Sequence, residues 1–132
     1  MIFVKEKTNK RISLILFLFY AAAIFILAVL PINGKDSHID HVYLINIRLD
    51  YVIHAAIFLP WMLLYRLAFK NPFEGKRWKI LLTGLLSGLL FAAVTEGVQY
   101  IVPYRSFNVN DLIGNVIGVI LGAALETLNP EP

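Results

Sequence analysis

An all-α, polytopic membrane protein with four transmembrane helices is the fold class that three observations predict. Of 132 residues, 58% are hydrophobic and only 16% charged, with a mean hydropathy of +0.70. That is too apolar for a soluble domain of this size. Apolar runs follow one another at about 12–30, 49–69, 80–102 and 111–128. Each is close to the ~20 residues that a helix rising ~1.5 Å per residue needs to cross ~30 Å of hydrocarbon. Lys and Arg gather at alternate joints: four precede the first run and five lie from Arg66 to Lys79, against two between the first and second runs and one between the third and fourth. The positive-inside rule then places both termini in the cytoplasm. With no Ser/Gly/Pro-rich linker, fixed-period repeat or low-complexity run, residues 1–132 are expected to form a single domain.

The composition also excludes chemistry. There is no cysteine, so disulfides, thiolate metal sites and Cys nucleophiles are ruled out. The net charge of +3 comes from basic residues at helix ends, where topology accounts for them, and nucleic acid is not an expected partner.

Taken in order, the chain opens with Lys5, Lys7, Lys10 and Arg11 before the run Ile12 to Leu30. At 19 residues this run exceeds the ~7–15 of a secretory h-region and lacks a small-x-small cleavage site, so it reads as a first span ended by Pro31. The polar joint from Pro31 to about Arg48 has a turn at Asn33-Gly34. Its Asp36, His38, Asp40 and His41 have metal-ligand chemistry without a recognisable ligand spacing, which favours a solvated loop. Val42 to Leu49 alternates and fits either a short strand or an interfacial segment.

The second span begins with Asp50 and His54, an i, i+4 pair on one helix face. Pro60 is expected to kink it at mid-length, and Arg66 and Lys70 to snorkel at its far end. A turn at Asn71 to Gly75 and the basic joint Lys76, Arg77 and Lys79 around Trp78 belong to the cytoplasmic side. In the third span Gly84, Gly88, Ala92 and Glu96 recur in steps of four, a smooth ridge leading to a carboxylate, with Gln99 and Tyr100 one turn on. After Pro103, Asn108 and Asn110 are candidate caps for the fourth span, and Asp111 falls in its first turn, where a negative charge suits the helix dipole. That span repeats the ridge with Gly114, Gly118 and Gly122, so the last two helices, joined by a short loop, are expected to pack against each other as an antiparallel hairpin.

Threading these residues through the topology brings Asp50 and His54, Glu96 and Gln99, and Asp111 and Asn115 to the outer boundary from three separate segments. Ionisable groups within spans are costly, and convergence at one depth points to a shared site. The order Asp50-x-x-x-His54, Thr95-Glu96-x-x-Gln99, Arg105, Asp111-x-x-x-Asn115 and Gly118-x-x-x-Gly122 resembles the VanZ-like family of small bacterial membrane proteins, named after a protein associated with low-level teicoplanin resistance. The resemblance covers about Asp50 to Gly122, and its second block is the more specific. The family pattern often has Asp-Lys ahead of its His, whereas Tyr51 follows Asp50 here.

What the resemblance implies is a cell-envelope role in the cytoplasmic membrane of a bacterium, with membrane lipids, including an envelope lipid intermediate, as expected partners. The leading reading is recognition of an envelope-lipid or glycopeptide-related head group at the outer face. In it Arg105 binds phosphate or carboxylate, while Glu96, Gln99, Asp111 and Asn115 accept hydrogen bonds. The alternative is an intramembrane enzyme, with His54 as a general base oriented by Asp50, Glu96 or Asp111 as an acid or a divalent-cation ligand, and Ser106 as a candidate partner. Two further readings are an ion pathway through the buried acids and His54, and a structural network of Glu96, Arg105 and Asp111. No cofactor or metal is assigned by the sequence, and the oligomeric state stays open.

Overall fold

A computed structural model describes residues 2–30, 43–44, 47–69, 76–104 and 107–128. Five helices account for nearly all of them: α1 (Ile2–Val29), α2 (Leu49–Phe58), α3 (Trp61–Phe69), α4 (Arg77–Ile101) and α5 (Val109–Leu128). Two-residue strands β1 (Tyr43–Leu44) and β2 (Ile47–Arg48) pair antiparallel just before α2. Within the stretch Val42 to Leu49, the described residues Tyr43–Leu44 and Ile47–Arg48 are thus extended, and Leu49 already belongs to α2. Four helical stretches are long and apolar enough to cross a membrane: Asn9–Val29, Leu49–Phe69, Arg77–Ile101 and Val109–Leu128.

The second span keeps its expected ends at 49–69, while α1 and the break at Pro60 depart from expectation for local reasons. α1 starts ten residues before the expected span, because Lys, Glu and Arg are good helix formers and neither Gly nor Pro interrupts them. Pro60 does more than kink the second span. With no amide hydrogen to offer Ala56, it separates α2 from α3 at Leu59-Pro60. Beside this break the Ile57 carbonyl accepts the Tyr20 hydroxyl of α1 at 2.5 Å.

The break lets the two half-helices take different neighbours. α2 lies along α5, while α3 packs against α1, α4 and the lower part of α5. Phe17 of α1 meets Trp61, Tyr65 and Phe69 edge-on at 5.0, 5.8 and 5.6 Å between ring centroids. Such edge-to-face contacts put a positive ring edge on a negative ring face. At mid-height, Trp61 stacks on Phe91 of α4 at 4.9 Å, with Phe58 6.3 Å from each ring.

α4 and α5 pack against each other as the expected antiparallel hairpin, but their glycine ridges do not principally face each other. The ridge of α5 instead rests on the backbone of α2, to which it runs parallel: Gly114 faces the Tyr51 carbonyl, Gly118 that of Ala55 and Gly122 that of Leu59. The ridge of α4 receives side chains, Tyr65 and Met62 at Gly84 and Trp61 at Gly88. Only at Gly88 does α5 join in, through Val119. In lipid, where apolar surface gains little by leaving its solvent, close backbone approach of this kind is what holds helices together.

Candidate functional site

Polar side chains converge where α2 begins, α4 ends and α5 begins. The ridge on α4 delivers Glu96 there, fully buried at 0% exposure, between Thr95 and Gln99, which are also buried. Tyr100 is 80% exposed and points away. Asn108 caps α5. Its carbonyl accepts the Asp111 and Leu112 amides, and its Oδ1 accepts the Asn110 amide at 3.1 Å. Asn110 itself lies in the first turn.

In a capping box the acid three residues into the helix reaches back to the cap residue's own amide. Here the task is divided between helices. The Asn108 amide donates to Glu96 Oε1 of α4 at 2.9 Å, and Asn108 Nδ2 donates to Asp111 Oδ1 at 3.0 Å. Glu96 thus binds the end of α4 to the start of α5. Asp111 keeps its expected place in the first turn, and its second oxygen turns towards α2.

That oxygen faces a histidine. His54 Nε2 lies 3.8 Å from Asp111 Oδ2, with the two side chains 19% and 15% exposed. On its other edge, His54 Nδ1 is 2.9 Å from Asn115 Oδ1. In the tautomer that carries its hydrogen on Nδ1, this contact is a donated hydrogen bond and Nε2 is the nitrogen that faces Asp111. Gly114 makes the arrangement possible. A methyl group there would stand 3.1 Å from the His54 Cβ and 2.9 Å from the Tyr51 carbonyl oxygen.

Asp50 shares a helix face with His54 but serves another partner. Its Oδ2 accepts the Arg48 guanidinium at 2.6 Å and its Oδ1 the Tyr51 amide at 3.0 Å, while Arg48 also lies 4.9 Å from the Tyr51 ring centroid. The orienting role expected of Asp50 is filled by Asn115. Arg105 and Ser106 lie outside the described residues, as does the joint with Asp36, His38, Asp40 and His41. Among the described residues, no three of His, Cys, Asp and Glu converge closely enough to hold a metal ion.

Beneath the cluster the Phe58, Trp61 and Phe91 rings form its floor, one helical turn below His54 on α2 and just over one below Glu96 on α4. Along α5 the next ionisable group after Asp111 is Glu126. The 15 intervening steps correspond to about 22 Å of helix rise. Between these two depths the rings of Phe58, Trp61 and Phe91 pack together.

Glu126 lies outside the residues that the sequence pattern singled out. It is buried and pairs with Arg66, so Arg66 is held within the bundle rather than snorkelling. The signal was available in the register, because Gly114, Gly118, Gly122 and Glu126 follow one another in steps of four on one face.

Neither the curated proteins nor the solved structures contain a match to this chain. The model of the VanZ/LLP1 family matches residues 3–128, nearly the whole length, and includes every residue of the cluster. With four helices able to cross a membrane and that match over nearly its full length, the chain belongs to the VanZ/LLP1 family as a multi-pass membrane protein.

Proposed function

We propose that this protein recognises the head group of an envelope lipid, or of a related glycopeptide, at the end of the bundle where His54 and Asp111 meet. Its setting is the cytoplasmic membrane of a bacterium, with both termini in the cytoplasm and this end facing out. The observation that carries the reading is the meeting of His54 and Asp111 from two helices, each partly exposed, over the buried partners Asn115 and Glu96. A lock between helices needs no exposed polar atoms. A recognition site needs fixed, partly exposed donors and acceptors, because placing them beforehand lowers the entropy cost of binding. Gln99 lies buried on the same face of α4, and Arg105 follows in the loop. In this reading Arg105 supplies the cation for a phosphate or carboxylate.

One observation favours a second reading, an intramembrane hydrolase or transferase acting on the same lipid. Asn115 Oδ1 lies against Nδ1 and Asp111 against Nε2, so with Asn115 as the acceptor Nε2 is the nitrogen left to take a proton. Conversion of the bound lipid would identify that chemistry, whereas recognition leaves it intact.

The test is teicoplanin susceptibility of a sensitive Gram-positive host at matched membrane abundance. Wild type is expected to protect, and Glu96→Gln and Asp111→Asn to abolish protection. Protection that survives both substitutions would remove this cluster from the function.

A further inference from the structure

The opposite end of the bundle carries a second, cationic arrangement. There Arg66 of α3 pairs with Glu126 of α5, Nε to Oε2 at 2.5 Å. Arg77, the first residue of α4, donates to the backbone carbonyls of Glu126 and Thr127. Two guanidinium groups from two helices are thereby fixed, part-buried, at the carbonyl end of a third, where the helix dipole favours positive charge. Trp78 stands beside them, 62% exposed, with the Lys79 ammonium 5.5 Å from its ring centroid.

The charge balance of the sequence follows the same geometry. By sequence, the segments that the topology assigns to this end hold nine Lys and Arg against four acids, whereas those assigned to the other end hold three against five. An excess of cations around prepositioned guanidinium groups attracts an anion, and the planar fork of arginine suits phosphate oxygens. An exposed indole beside them marks the depth at which lipid head groups lie.

We propose that this end binds the phosphate of an anionic phospholipid in the adjoining leaflet. Arg66 and Arg77 hold the phosphate where α3, α4 and α5 meet, Lys76 and Lys79 add charge around it, and Trp78 packs against the glycerol region. Basic pockets between membrane helices take acidic head groups by the same physics. The site shares no residue with the His54 cluster, so either assignment can fail without the other.

Native mass spectrometry of the full chain, purified in detergent and offered equal amounts of phosphatidylglycerol and phosphatidylcholine, tests the proposal. Wild type is expected to retain phosphatidylglycerol preferentially, and millimolar inorganic phosphate to leave the adduct in place. Arg77→Gln and the double variant Lys76→Gln/Lys79→Gln should each lower the preference, by about fivefold per cation removed. Neither lysine is buried, so the double variant keeps the test valid if Arg77→Gln fails to fold. Equal retention of the two lipids by wild type, an unchanged preference in the double variant, or displacement by inorganic phosphate would each overturn it.

Discussion

Gly118→Ala is expected to remove most of the folded protein from the membrane, while Gly97→Ala leaves its abundance unchanged. A methyl group at Gly118 would overlap the Ala55 carbonyl oxygen and stand 3.0 Å from both the Ala55 carbonyl carbon and the Phe58 Cβ. The first two are backbone atoms, which cannot rotate aside as a side chain does. α2 must therefore lift away from α5, at a cost of about 3 kcal/mol, the upper part of the range for overpacked cores. Lifting α2 also parts His54 from Asn115, so activity should fall with stability. At Gly97 an added methyl group meets nothing within 4 Å. Thermal unfolding in detergent reads the difference, and a wild-type melting point for Gly118→Ala would contradict the packing of α5 on α2.

The second large effect separates the charge at position 96 from its hydrogen bond. Glu96→Leu deprives the Asn108 amide of its acceptor, and a buried donor left unmade costs about 1–3 kcal/mol. Glu96→Gln keeps a carbonyl oxygen in place for that amide. The glutamine variant should accumulate and melt close to wild type, and the leucine variant should be lost or melt clearly lower. Equal losses in both would mean that the charge itself holds the helices together, as a purely structural network requires.

Much of this architecture was legible because span length and helical register are properties of a single segment. Steps of four from Gly84 led to Glu96 without any knowledge of the neighbouring helices, and the clustering of polar residues at one end followed from counting basic residues. Pairing between helices was less legible. A glycine ridge announces that a backbone approaches closely but does not say which one, and the short loop pointed only to α4 as the neighbour of α5. α5 packs on both α2 and α4, and it is α2 whose backbone its glycines meet. Asp50 and His54 share a helix face, yet Asp50 sits in the first turn, where β2 brings Arg48 within reach first. The contact of His54 with Asn115 spans 61 positions of sequence. No local pattern reports it.

The account turns on whether the His54 and Asp111 pair meets a ligand or only joins two helices. The most direct measurement is mass spectrometry of lipids that co-purify with the protein from Gram-positive membranes, comparing wild type with Asp111→Asn. The substitution can keep a side-chain oxygen for Asn108 Nδ2 while replacing the charged oxygen that faces His54 with a neutral amide NH2. The account predicts a head-group lipid enriched with wild type and lost from a variant that melts normally. Identical lipids on both proteins, with Asp111→Asn folded, would contradict it.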